Sequence, residues 1–228
     1  KDSHLYLIIK EEILNRSPIE NSGTSTKRSE KRSSDIMYLI NESKIEGIKK
    51  YVDIGIGDGT ITSAISNKIT EKFHTRELYG LDLKDERKNK DDKSYELIIY
   101  DGINIPIRNI DIITLMMVLH HVEKLDQFIN SLYESIENGG IIIIRDHDIS
   151  NKKFHKLVKI QHDIMKYIYD ESVIYSDEST RDNYMSKDEI IKLMTDKGFE
   201  YLSNIKTEHL FNLKNNPTKY IYLVFKKK

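Results

Sequence analysis

The chain has 228 residues, with 36 basic against 37 acidic side chains and a formal net charge of −1. That length fits one α/β domain with a sizeable core and a small appendage. The balanced charge excludes a global field that draws the protein onto nucleic acid, leaving only a local basic patch for such contact. The absence of cysteine excludes a disulfide framework, thiolate zinc sites and a cysteine nucleophile, and no apolar run is long enough to span a membrane.

In chain order, residues 5–14 read as a helix. Residues 15–34, with Pro18, Gly23, many Ser and Thr and the basic cluster Lys27, Arg28, Lys31 and Arg32, read as a mobile loop running into a helix at about 34–45. Residues 1–45 are therefore expected to form an N-terminal helix and basic lid or linker, and 46–228 the main domain. From Lys50 the pattern alternates. Strands are expected at 50–54, 78–82, 95–100, 111–117 and 141–144, with helices at 59–70 and 124–137, the second ending at the cap glycines Gly139-Gly140. Residues 84–93 read as a charged loop. A long helix at 151–171 presents Phe154, Leu157, Val158, Ile164, Met165 and Ile168 on its apolar side. A helix at 186–197 opens with Ser186 and Glu189, a capping-box signature. Two final strands, 201–209 and 219–226, have no helix between them and read as a hairpin. Alternating strands and helices imply a parallel sheet with helices on both faces.

Chemistry concentrates at the strand ends, where open α/β sheets bind ligands. The first strand runs into Asp53-Ile-Gly55-Ile-Gly57-Asp58-Gly59, whose glycines let the backbone approach a ligand closely. A dinucleotide fingerprint needs G-x-G-x-x-G, but here the third glycine comes one position early and Thr60 stands in its place. Asp53 and Asp58 disfavour a pyrophosphate and suit a cationic ligand such as S-adenosylmethionine (SAM), with its sulfonium and ammonium. Asp82 ends the next strand, where a carboxylate accepts hydrogen bonds from both hydroxyls of a ribose.

These segments resemble the motifs of class I SAM-dependent methyltransferases. Tyr51-Val-Asp-Ile-Gly-Ile-Gly-Asp-Gly is similar to their first motif. Tyr100-Asp-Gly-Ile-Asn-Ile-Pro-Ile and Asp111-Ile-Ile-Thr-Leu-Met-Met-Val-Leu-His-His-Val resemble the third and fourth, and Glu137-Asn-Gly-Gly the turn before the fifth strand. The likeness runs from about residue 50 to 148. It implies a Rossmann-like α/β fold: a seven-stranded, mostly parallel sheet, helices on both faces and an antiparallel last strand. It also implies that Asp53, Gly55 and Gly57 line the methionine part of SAM and that Asp82 holds the ribose. Asp101 and Gly102 would face an adenine sandwiched by Leu83 and Ile103, and Met117 would border the cofactor through its backbone.

The motifs name the donor and leave the acceptor open. No Asn/Asp-Pro-Pro-aromatic motif follows the fourth strand, which argues against exocyclic-amine chemistry on nucleic acid. Met116-Met117 stand where ribose 2′-O enzymes need an acid. His120 and His121 follow that strand and suit a general base for a hydroxyl acceptor. Arg145-Asp-His-Asp148 ends the fifth strand. With His121 it resembles a divalent-metal set, but no further ligand has convincing spacing, so substrate contacts from Arg145 and His147 are expected and a metal is not.

The basic stretch before Ser33-Ser-Asp-Ile-Met-Tyr-Leu-Ile resembles the segment preceding the core in messenger RNA cap guanine-N7 methyltransferases. That likeness implies that basic residues here, among them Lys27, Arg28 and Arg32, approach the SAM carboxylate and RNA phosphates, and it implies a cytoplasmic capping enzyme encoded by a virus or plasmid. Guanine N7 already exposes a lone pair, so such a site needs alignment rather than a base. Tyr175, Tyr184, Tyr220 and the Glu208-His209 pair are candidate clamps. The lack of an initial Met and the richness in Lys, Asn and Ile fit a domain of a larger capping protein. The alternative acceptors are a small molecule, methylated on O, N or C, or none at all, in a SAM-binding partner subunit.

Overall fold

The computed structural model describes residues 26–150, 155, 158, 183–211 and 219–228. The helix expected over 5–14, Tyr175 and all but His155 and Val158 of the long 151–171 helix lie outside the described residues. Seven strands form one sheet: β1 (Lys50–Ile54), β2 (Glu77–Asp82), β3 (Glu96–Ile99), β4 (Ile110–Met116), β5 (Ile136–His147), β6 (Phe199–Tyr201) and β7 (Tyr220–Lys227). Their order is β3-β2-β1-β4-β5-β7-β6. The pairs β1–β2, β1–β4, β2–β3 and β4–β5 are parallel, while β7 runs antiparallel to both β5 and β6. The Rossmann-like sheet and the closing hairpin both match the sequence reading.

Alternation along the strands builds two cores. Val52, Ile54, Ile113, Leu115, Ile142 and Ile144 face α3 (Leu125–Ser135) and α4 (Lys187–Asp196), where Phe128, Leu132 and Met194 are buried. Tyr51, Ile112, Ile141 and Ile143 face α1 (Thr26–Glu42) and α2 (Thr60–Phe73), through Ile36, Leu39, Ile40, Ile65 and Ile69. A central strand buried on both faces reads as an unbroken apolar run, as Ile141–Ile144 does. The capping box at Ser186 is present, its hydroxyl accepting from Glu189 N while the Glu189 carboxylate accepts from Ser186 N. Among the described residues no helix is long and apolar enough to cross a membrane.

Three elements differ from the sequence reading. Helix α1 starts at Thr26, so Lys27, Arg28, Lys31 and Arg32 ride on helix rather than on a loop. Serines suggested a loop here. Instead Ser29 and Ser33 turn their hydroxyls back to Thr26 O (2.9 Å) and Glu30 O (3.0 Å) and are buried. Helix α3 ends at Ser135, and Gly139, at φ 82°, lies inside β5 rather than capping the helix. Strand β6 stops at Tyr201: Leu202 N still reaches Val224 O on β7, but Ser203 N turns back to Tyr201 O and Ile205 N to Leu202 O, and a short 3-10 segment, Glu208–Leu210, follows. Lys31 Nζ pins that segment to α1 through Leu210 O at 2.9 Å.

One buried carboxylate ties the centre together. Asp53 on β1 is 1% exposed and accepts hydrogen bonds from Thr62 Oγ1 on α2 and Thr114 Oγ1 on β4, both at 2.6 Å. Thr114 in turn meets the Tyr51 hydroxyl at 2.8 Å. Burial raises the Asp53 carboxyl to about 6; the two threonine hydrogen bonds oppose that rise and the nearby Asp82 charge adds to it. A carboxyl whose folded pKa is raised favours the folded state below its unfolded value of 3.8, and that contribution is lost as pH climbs through about 6. At about 1.4 kcal/mol per unit, the loss is on the order of 3 kcal/mol. Asp53→Asn is therefore expected to flatten the pH dependence of unfolding free energy between about pH 4 and 6.5 by roughly that amount. Urea unfolding of both proteins across this range measures it; parallel curves contradict the assignment.

Candidate active site

Strand order reverses between β1 and β4, and the cleft opens there, at the carboxyl ends of the strands. It has two lobes that share Gly55, Gly57, Glu86 and Met117. The first, of about 650 Å³, is lined by Asp82, Leu83, Tyr100, Asp101, Gly102 and Ile103 on one side and Val118, His121, Val122 and Glu123 on the other. The second, of about 620 Å³, is lined by Arg28, Arg32, Asp53, Ile56, Asp58, Ile61, Met116 and Arg145.

The loop after β1 is shaped by close approach. Gly55 has φ 75°, and a Cβ there would stand 2.4 Å from Val118 Cγ2, so the backbone and Val118 leave room for no side chain. Gly57, at φ 54°, would carry a Cβ into open space. Asp82 steadies this loop from β2: one oxygen accepts from Gly57 N at 2.8 Å and the other from Leu83 N at 2.7 Å. Both oxygens keep lone pairs directed at further donors. Asp101 folds its own turn, accepting from Ile103 N, Asn104 N and Asn104 Nδ2, and these bonds hold its carboxyl below the usual range. Leu83 is 62% exposed at the rim of the first lobe.

At the end of β4 the chain bends sharply. Met117 has φ 64°, a left-handed conformation that costs a side-chain-bearing residue energy, and its N–H donates to Arg145 O at 2.7 Å. The bend places Val118 against Gly55 and brings His121 to the cleft. The His121 ring lies 4.1 Å from that of His120, which is 1% exposed. His120 Nδ1 is 2.7 Å from Asp146 Oδ1, and Tyr184 stacks on the His120 ring at 5.0 Å. Burial opposes ionisation of Asp146, but the hydrogen bond and charge of His120 and the His147 N–H outweigh it and hold the carboxyl below its ordinary value.

Of the residues singled out in the sequence, Asp53, Gly55, Gly57, Asp82, Leu83, Asp101, Gly102, Ile103, Met117, His121, Arg28, Arg32 and Arg145 line the two lobes. His120 and His147 stand behind them, with ring centroids 5.7 Å apart. Lys27 is exposed on α1 and lines neither lobe. Glu208 is exposed too, and its carboxylate accepts from Thr207 N. Tyr184 lines a separate cavity of about 370 Å³ with His155 and Ser186. The Arg145–Asp148 run does not act as one cluster, because alternation along β5 sends Arg145 toward Tyr222 and α1 and Asp146 toward His120. Asp148 instead accepts from Lys187 N at the start of α4. Among the described residues no group of His, Cys, Asp or Glu is placed to hold a metal ion.

Sequence reasoning missed Glu86, and it named Tyr100 and Asp146 without their places, Tyr100 on the cleft wall and Asp146 paired with His120. Glu86 sits in a charged loop with no pattern to single it out. Asp146 carried a readable signal, since a carboxylate in phase with buried Ile142 and Ile144 must face the interior.

The paired lobes suit an elongated ligand such as SAM. Asp82 and the Asp101 turn stand at one end, the glycine loop spans the middle, and buried Asp53 favours a cation beside it. Residues 19–204 match the model of a methyltransferase-domain family. No curated protein matches the chain in sequence. Among solved structures, a SAM-dependent methyltransferase from Clostridium acetobutylicum ATCC 824 aligns with a TM-score of 0.61 and 16% identity, over 95% of this chain and 97% of its own. A Thermotoga maritima SAM-dependent methyltransferase, described as a possible histamine N-methyltransferase, aligns with a TM-score of 0.56 and 15% identity over 87% and 91%. The [4+2]-cyclase SpnF shares the fold as well, with a TM-score of 0.55 and 13% identity over 91% and 84%. The match over most of the chain, with the sheet order and the glycine loop at its switch point, places this protein in the methyltransferase-domain family, as a Rossmann-like class I SAM-dependent methyltransferase.

Proposed function

We propose that the protein methylates a small-molecule acceptor whose nucleophile must lose a proton. The observation that carries this reading is the histidine pair at the cleft, with His120 Nδ1 held 2.7 Å from buried Asp146. SAM supplies an electrophilic methyl group on a sulfonium. Asp82 takes the ribose hydroxyls on the lone pairs that Gly57 N and Leu83 N leave, while Leu83 and Ile103 flank the adenine. His121 meets the acceptor and accepts its proton. Ionised Asp146 fixes the tautomer and ring plane of His120 against it and stabilises the positive charge that develops on the pair.

The cap guanine-N7 reading draws less support. Guanine N7 needs no base, which leaves the Asp146–His120 pair without a task. Of the basic residues meant for RNA, Arg28 and Arg32 line the cleft, and Lys31 is bonded to Asp35 and Leu210 O. Capped RNA, and the larger capping protein it implies, thus serve as the rival outcome of the test.

Tritiated-methyl transfer from SAM to uncapped RNA, GpppG-capped RNA and a metabolite pool decides between the acceptors; label is expected in the pool, and label in capped RNA alone overturns the proposal. With the acceptor in hand, His121→Ala is expected to lower kcat by about 10²–10⁴-fold. The rate should fall on the acid side as the base becomes protonated. Asp146→Asn removes an anion that favours the imidazolium, so its acid limb should move to lower pH. An unmoved limb assigns Asp146 a structural role only.

Asp82→Ala is expected to weaken SAM binding by on the order of 1.5–3 kcal/mol, the range for hydrogen bonds to a charged group. Calorimetry on the folded variant measures it, and unchanged affinity removes Asp82 from the ribose.

A further inference from the structure

Arg145 is a buried charge in the cleft that the cofactor reading does not use. Its strand, β5, lies beyond β4 in the sheet, so Arg145 stands two strands past Asp53 on β1, away from the adenine end. That is about 10 Å across the sheet, on the far side of the histidine-bearing end of β4. The residue is 3% exposed. Its guanidinium carbon lies 4.0 Å from the centroid of the Tyr220 ring and 6.0 Å from that of Tyr222. Nε is buried with no hydrogen-bond partner, and among the described residues no carboxylate forms an ion pair with Arg145.

A buried guanidinium is costly where, as among the described residues here, no carboxylate pairs with it, and stacking on tyrosine returns only part of that cost. The neighbourhood adds to it. Burial first, then the charges of Arg32 and Arg28, push the Arg145 pKa down to about 10, while Tyr222 and Tyr220 pull the other way. Asp35, the buried acid on α1, is occupied by Lys31 at 3.0 Å, Arg32 at 3.7 Å and the Tyr222 hydroxyl at 3.3 Å. Asp53 is taken by two threonines. Among the described residues the lobe's other acids, Asp58 and Glu86, form no ion pair with Arg145 either, and the planar fork of Arg145 is oriented by the tyrosines. Such a fork matches a carboxylate bidentately.

We propose that Arg145, reinforced by Arg32 and Arg28, is a carboxylate subsite for the methyl acceptor, making the substrate class an acidic small molecule. This rests on the methyl-transfer reading and adds to it a determinant of specificity. The cofactor also carries a carboxylate, and the same fork suits it, so the test separates the two sources.

Calorimetry compares S-adenosylhomocysteine with 5′-methylthioadenosine, which lacks the amino-acid end, on the native protein, Arg145→Gln and Arg28→Gln. Benzoate and neutral benzamide are then titrated into each protein saturated with S-adenosylhomocysteine. Benzoate is expected to bind the native protein at least tenfold more tightly than benzamide. That preference should vanish in Arg145→Gln and shrink a few-fold in Arg28→Gln, whose exposed site on α1 leaves the fold intact. Affinity for both nucleosides should stay within about twofold throughout. Benzoate binding no better than benzamide, or a preference that survives both substitutions, overturns the proposal. So does selective loss of S-adenosylhomocysteine affinity with 5′-methylthioadenosine unchanged, which assigns the fork to the cofactor's own carboxylate. Failure of the native protein to bind either nucleoside refutes the methyl-transfer reading instead.

Discussion

Everything at the cleft hangs on a carboxylate that sees almost no water. Asp53 lies where β1, α2 and β4 meet, and its two short hydrogen bonds to Thr62 and Thr114 join them across one buried side chain. A polar group so placed is tolerable only if its oxygens are satisfied, and the geometry that satisfies them also sets how the glycine loop leaves β1. Asp82 repeats the device one strand over, on the backbone of the same loop. The loop is thus held from below and from the side, and the bend at Met117 closes it from the third direction through Val118.

The two lobes then divide the labour by charge. One end offers carboxylates and exposed apolar surface; the other sets Arg28, Arg32 and Arg145 beside buried Asp53 and the more open Asp58. The histidine pair belongs to the first lobe, where His121 lines the wall and Asp146 backs His120. A sheet makes such a division without any loop insertion, because consecutive residues at a strand end point to opposite faces.

Much of this was legible in the sequence, for reasons that can be traced. The unbroken run Ile141–Ile144 announced a strand buried on both sides, and the spacing of glycines and acids at successive strand ends announced the cofactor half of the cleft. Local patterns were strong there because the backbone itself makes the contacts. The start of α1 was not legible. Ser29 and Ser33 have weak helical preference in isolation, and only their buried back-bonded hydroxyls show why the helix continues through them. The partition of the basic cluster was hidden for the same reason, since Arg28 and Arg32 share a face only once the segment is helical. The pairing of Asp146 with His120 joins residues 26 positions apart, and nothing local in the sequence encodes it.

The alternation of Arg145 and Asp146 has a consequence for how this strand can change over time. The two side chains are neighbours in sequence but serve opposite faces of the sheet. Deletion or insertion of a single codon between Ile141 and Arg145 would exchange them, burying the acid among arginines and the guanidinium beside the imidazoles. Ile141–Ile144 would tolerate the slip, because an isoleucine replaces an isoleucine on either face. The tract's own packing therefore offers little resistance to a register change that the cleft cannot survive. Substitutions along β5 can accumulate one at a time, whereas length changes there are closed off by charge alone.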